Sequence, residues 1–188
     1  IKAIVSFRAK RPDRLEQKLN QRNEKSAYAD VANIYEDIVD LAGVRVALYF
    51  PKDREVVDET INFLFNVRKK KNFPEASYKP KFEKRFSGYW ASHYRVNLKN
   101  SNQNKKRYES ALFEIQVASV LMHAWSEVEH DLVYKPLAGD LSEEELAILD
   151  EINGLVLTGE IALERLQKAI TKRTKEKDNI SNRYELTS

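Results

Sequence analysis

In the stretch FEIQVASVLMHAWSEVEHDLVYK, from Phe113 to Lys135, an apolar run of strand length passes directly into a run of helical period. The junction carries Glu114, Gln116, His123, Glu127, Glu129, His130 and Asp131. Glu114 and Gln116 stand two apart, so a strand presents both on one face while Phe113, Ile115 and Val117 fill the other. A further carboxylate, Asp40, opens DLAGVRV, where Arg45 lies within an apolar strand on the face opposite Val44 and Val46. An arginine in such a run must be paired or face a cleft, because burying its charge alone is costly. If the two strands are neighbours, Asp40, Arg45 and Glu114 converge, and two carboxylates beside basic side chains suit a hard divalent ion bound to phosphates. A solvated outer sheet face, with Arg45 bridging to a neighbouring helix, satisfies the same spacing, and both readings stand at this point. His123, Glu127, His130 and Asp131 form a polar helical stripe that superficially resembles a His/carboxylate metal site, but the tight His pairing favoured by zinc is missing. Trp125 and Val128, on the other side of that helix, are expected in the core. In SGYWASHY, Tyr89 follows Gly88 and precedes His93; a tyrosine on a glycine turn can stack on a nucleobase or serve as ordinary core.

The elements that must hold these residues are visible as changes of period. Apolar residues recur at three- and four-residue steps from Pro12 to Gln21 and from Lys25 to Leu41, which predicts two N-terminal helices. VRVALYF, ending at Pro51, predicts a central strand, followed by a helix from about Asp53 to Phe65 with Asp53 as its N-cap. The lysine-rich region after Val67 has no clear period and reads as loop with at most one short strand. Ser92 to Leu98 and Ser110 to Val117 read as paired strands of a hairpin, Ala118 to Val133 as a helix, and Ser142 to Lys175 as a long last helix opened by a capping pattern. Gly154 and Gly159 are candidate interruptions of it. The order predicts an α+β (mixed α/β) domain whose sheet of three or four strands is mixed, mostly antiparallel and flanked by helices.

Composition narrows the class. The chain has 188 residues, 42% of them hydrophobic, with only five Gly and five Pro, which fits one globular domain over 1–188. The absence of cysteine excludes disulfides and thiolate metal sites and is compatible with a reducing, cytoplasmic location. No apolar run approaches the roughly 20 residues of a membrane span. A first residue of Ile in place of Met suggests a piece of something longer. The net charge of +3 is a small difference between 32 basic and 29 acidic side chains, so it does not argue for nucleic acid. Basic clusters at Arg68 to Arg85 and Lys168 to Lys177 read as solvated surface or as contacts to an anionic ligand.

The order of these motifs resembles that of the alarmone synthetase domain of the RelA/SpoT family of ribonucleotide pyrophosphokinases. RAKRPDRLEQKL, Arg8 to Leu19, is similar to that family's R-x-K-x-P-x-S-x-x-x-K signature, and DLAGVRV to its D-x-x-G-x-R strand entry. GYWASH is similar to its G-Y-x-S-x-H loop, and EIQVAS with the following MHAWSEVEHDLVYK to its E-I-Q-I-R-T strand and acidic helix. The core motifs thus span residues 8–135, with a helical extension at about 142–175. The resemblance implies a nucleotidyltransferase-like synthetase fold and transfer of the β,γ-pyrophosphate of ATP to the 3′-hydroxyl of a purine ribonucleotide with Mg²⁺. By that resemblance Arg8 and Arg45 sandwich the adenine, Lys10 and Lys18 hold the ATP phosphates, and Asp40 ligates the metal. Glu114 shares the metal or takes the hydroxyl proton, Tyr89 stacks on the acceptor base, and His93 and Gln116 line the acceptor side.

The departures from the pattern leave the acceptor open. The first motif's serine is Arg14, the serine of the tyrosine loop is Ala91 with Trp90 before it, and the arginine after E-I-Q-I is Ala118. GDP, GTP, an adenine nucleotide and the 3′ end of tRNA all stay as acceptors, and a catalytically silent nucleotide- or RNA-binding module is the non-enzymatic alternative. The amphipathic last helix suits either assembly into a homo-oligomer or packing on its own domain. A hydrolase half is not expected, since His130-Asp131 is the only such dipeptide and lies inside the synthetase-like helix.

Overall fold

The computed structural model describes residues 1–24, 27–74, 86, 90–99, 108–134 and 140–185. Its centre is a five-stranded sheet built from β1 (Ala3–Ala9), β2 (Ala42–Leu48), β3 (Phe65–Phe73), β4 (Ala91–Leu98) and β5 (Phe113–Ser119), in the order β1-β2-β5-β4-β3. β2 and β5 run parallel and the other neighbours antiparallel, so the domain is α+β with a mixed, mostly antiparallel sheet, as the element order predicts. The expected pairing of the last two strands holds, with His93 opposite Gln116 and Tyr94 opposite Ile115.

Helices start where local chemistry stops the chain from doing anything else. α1 (Pro12–Asn23) has proline in its first turn, where the missing N–H has no helical partner to lose, and Asp13 beside it. α2 (Val31–Asp37) is capped by Asp30, whose carboxylate accepts the Asn33 N–H at 2.8 Å. It is shorter than the period suggests: it stops at Ile38, and a 3-10 turn over Val39–Leu41 leads into β2. α3 (Arg54–Leu64) begins from a 3-10 turn at Pro51–Asp53. Asp53 is not its side-chain cap; that carboxylate instead accepts from Gln167 Nε2 at 2.6 Å, tying α3 to the last helix. Ser119 caps α4 (Val120–Glu129) by accepting the Met122 N–H at 3.0 Å, and a π-helical turn over His130–Tyr134 continues it. α5 (Glu143–Glu185) opens with a reciprocal capping box in which Ser142 N–H donates to Glu145 and Glu145 N–H to Ser142.

Alternation divides the sheet. Leu48, Tyr94, Val96, Ile115 and Val117 point to one face and pack with Val57 and Ile61 of α3, and Val44, Val46 and Phe113 border this core. On the other face, Ala91, Ala118 and Met122 form a smaller cluster against Val156 and Leu157 of α5. Between that cluster and the β1 edge the same face is polar.

Several expectations need correction. The start of the lysine-rich region lies in a nine-residue strand, β3, longer than the short strand expected there, and its remainder from residue 75 to 85 lies outside the described residues. β3 lies at the sheet edge, where lysines discourage further pairing, and a bulge between Val67 and Lys69 breaks its alternation. β1 was hidden because every residue in it is exposed, so it has no inward-facing apolar pattern to read. Val128 is exposed at 40%, whereas Trp125 is buried as expected. Gly154 and Gly159 do not interrupt α5. They mark close approaches, since a Cβ would lie 2.7 Å from the Phe86 ring at one and 2.6 Å from Leu121 at the other.

Candidate active site

Asp40 occupies the 3-10 turn immediately before β2, and Lys10 follows the last residue of β1. The Lys10 N–H donates to the Leu41 carbonyl at 2.8 Å, which brings the two turns together. The Lys10 ammonium then reaches Asp40 Oδ2 at 2.5 Å, and Lys18, from α1, reaches Oδ1 at 2.8 Å. Burial pushes the Asp40 carboxyl up, but the hydrogen bonds and charges of the two lysines outweigh it and hold the group below the usual range.

Glu114 stands opposite Gly43 in the parallel β2–β5 ladder, on the polar face. Its Oε1 lies 3.3 Å from His93 Nδ1 and its Oε2 accepts from Gln116 Nε2 at 2.8 Å. Burial again raises its pKa; the His93 contact and then the Gln116 amide outweigh it, against a small opposing push from the negative charge of Asp40. Both carboxylates therefore stay ionised near neutral pH, and Glu114 feels the charge of Asp40. The His93 ring is braced by Phe73 of β3, with centroids 4.6 Å apart.

Arg45, opposite Gln116 on β2, forms an ion pair with Glu127 of α4. Arg8 lies across from Gly43 on β1. Arg8, Asp40, Arg45, Glu114 and Gln116 line one cavity of about 70 Å³, together with Ser6 and Phe7. Of the residues singled out from sequence, the fold thus gathers Arg8, Arg45, Asp40, Glu114 and Gln116 around this cavity, with Lys10 and Lys18 bound to Asp40 and His93 bound to Glu114. Tyr89 falls outside the described residues.

Among the described residues, no three His, Asp or Glu side chains gather into a preformed metal cage. Two ionised carboxylates on one small cavity nevertheless fit a Mg²⁺ ion whose remaining ligands are phosphate oxygens and water, the arrangement this ion favours. Both oxygens of Asp40 face lysines, so a metal ligated there would compete with the two ammonium groups. Among the described residues the histidine stripe does not gather into one cluster: buried His123 bonds the Val46 carbonyl at 3.2 Å, and burial drives its pKa down to about 4, while exposed His130 pairs with Asp131.

Three features escaped the sequence. Ser6 and Phe7 were missed with their strand, and Phe73 with its own. Glu127 was visible in the polar stripe, but its partner, 82 residues away, was not.

The sequence profile described as a region found in RelA/SpoT proteins matches residues 7–138. No curated protein matches. Among solved structures, a GTP pyrophosphokinase family protein from Streptococcus pneumoniae superposes with a TM-score of 0.69 at 22% identity, over 90% of this chain and 77% of that one. Small alarmone synthetase 1 from Bacillus subtilis does so with a TM-score of 0.67 at 20% identity, over 90% of this chain and 81% of that one. The same enzyme bound to its product pppGpp gives 0.65 at 23% identity, over 89% and 79%. At such identities the structures establish a shared fold, whereas the profile covers most of the sheet and all the motifs, and on that ground the chain belongs to the RelA/SpoT family.

Proposed function

We propose that this chain is a Mg²⁺-dependent ATP:nucleotide 3′-pyrophosphokinase that moves the β,γ-pyrophosphate of ATP onto the 3′-hydroxyl of a purine ribonucleotide and releases AMP. The observation that carries the reading is the convergence of Asp40, Glu114, Arg8 and Arg45 on one cavity with Lys10 and Lys18 at its border. The bond formed joins the acceptor 3′-oxygen to the β-phosphorus, and the bond broken joins that phosphorus to the oxygen of the α-phosphate. Such a transfer needs positioning and charge neutralisation more than a covalent nucleophile. Lys10 and Lys18 exchange Asp40 for ATP phosphates, and Arg8 and Arg45 flank the adenine. Glu114, ionised and fixed by His93 and Gln116, receives the hydroxyl proton. Bound Mg²⁺ supplies charge neutralisation to the phosphates beside Asp40 and Glu114. The B. subtilis relative has been solved with AMPCPP and with pppGpp, ligands consistent with this donor and a guanine acceptor.

One observation favours a different acceptor. Ala91 and Ala118, which stand where the resembling motifs carry serine and arginine, are buried against Met122 beneath α5. Neither methyl side chain offers a donor to a phosphate, which suits an acceptor that lacks the usual 5′-phosphate contact, including the 3′ end of tRNA. Incubation with γ-labelled ATP and Mg²⁺ against GDP, GTP, ADP, AMP and tRNA, beside Glu114→Gln, decides both points. Label on a single nucleotide that disappears in the variant supports the main reading, label on tRNA alone supports the second, and no transfer leaves a binding module.

A homo-oligomer is proposed on the exposed Ile148, Ile152 and Leu155, at steps of four and three along α5, with exposed Leu166 three turns further on. Light scattering of the protein and of Leu155→Glu tests it: a single monomeric mass for both refutes it.

A further inference from the structure

At the opposite end of the parallel strand pair from Glu114, where β2 and β5 end at Leu48 and Ser119, lies a second cavity of about 320 Å³. Its walls are mainly apolar, with Trp90, Met122, Leu157 and Ile161 contributing. The space opens to solvent beside the exposed Trp90 and Ile161, and its size falls within the roughly 300–1,000 Å³ of small-molecule sites. The charged groups in its lining are Arg54, Glu160 and Glu164, so the balance is negative and disfavours a phosphate. Glu160 is also poorly provided for. Burial drives its pKa up, and neither the hydrogen bond from the Ser119 hydroxyl nor the charge of Arg54 restores it. A cationic donor placed beside it would relieve that cost.

We propose that this cavity is a binding site for a compact aromatic amine, with the ring against Trp90 and Leu157 and the ammonium toward Glu160 and Glu164, and that α4 transmits its occupancy to Arg45. The connection is continuous. The Ser119 hydroxyl donates to Glu160 and accepts the Met122 N–H that caps α4. The same helix fixes His123 to the Val46 carbonyl and Glu127 to Arg45.

The test uses tryptamine as probe and indole-3-acetate as its anionic counterpart, by calorimetry and by NMR of the His123 ring, with no nucleotide present. Its outcome is therefore independent of the proposed reaction. Tryptamine is expected to bind at least about tenfold more tightly than indole-3-acetate, and Glu160→Gln to remove most of that difference. Ile161→Trp, which fills the cavity from a 62% exposed position, is expected to abolish binding. Thermal unfolding confirms that both variants fold. No saturable tryptamine binding, equal affinity for the two probes, or undiminished binding to Ile161→Trp overturns the site; binding without a shift at His123 overturns the transmission.

Discussion

On one face of the sheet Tyr94, Ile115 and Val117 are closed off from solvent against α3, while on the other their sequence neighbours His93, Glu114 and Gln116 hydrogen-bond one another around a small cavity. The residues come from the same strands and differ only in which side of the pleat they occupy. Each buried aliphatic side chain contributes roughly 1.5–3 kcal/mol, whereas ion pairs as exposed as Arg45–Glu127 contribute at most about 1 kcal/mol. Stability therefore resides mainly on the apolar face, and chemistry can be assigned to the polar one with little effect on folding. Even the apolar face is not purely apolar: Tyr94 donates its hydroxyl to Asp58 at 2.7 Å, which also receives Lys70 from β3.

The division predicts that substitutions on the two faces fail in different ways. Glu114→Gln should lower turnover by roughly 10²–10⁴-fold, the usual worth of a positioned acid or base, with an almost unchanged urea midpoint. A large loss of stability in this variant would break the distinction. Its counterpart one residue along, Ile115→Ala, should destabilise by about 2–5 kcal/mol while turnover per folded molecule stays near that of the parent. Denaturant unfolding beside active-site titration measures both quantities. Glu127→Gln, which frees Arg45, should raise the KM for ATP a few-fold and leave kcat alone; a fall in kcat instead would place Arg45 in the transition state.

The smallest effect expected concerns acid. His123 has a folded pKa of about 4 against an ordinary 6.5: burial lowers it most, the charges of Arg45 and His93 lower it further, and the bond to the Val46 carbonyl and the charge of Glu127 only partly offset them. The unfolded chain takes up this proton first as pH falls, so the contribution of neutral His123 is complete above about 6.5 and is lost progressively toward 4. His123→Gln keeps a donor for Val46 but does not titrate. Its urea stability should accordingly vary less between those pH values than that of the parent. Equal pH dependence would mean that other groups, such as Asp40 and Glu114, carry the acid response.

The motifs themselves were legible because each is local. The two-residue step of Glu114 and Gln116, the cap at Ser142 and the proline-led α1 depend on a few adjacent residues. The contribution of β3 was not legible, because lysine stems at a sheet edge and a bulge give no alternation, and with it went Phe73 beneath His93. β1 was illegible for the opposite reason, since an edge strand exposed along its whole length has no buried side to mark it.

By itself the sequence determined which side chains share a face, where most helices begin, and that two carboxylates and several cations belong to one family pattern, since all of these follow from chain geometry within a few residues. Tertiary structure alone decided that β2 and β5 lie side by side, that both lysines close on Asp40, that Arg45 is held by Glu127, and that Ala91 and Ala118 are buried with Met122 beside α5. Those pairings join segments far apart in the chain, and what selects among them is the simultaneous burial of the apolar face and satisfaction of the polar one, a condition that no single segment encodes.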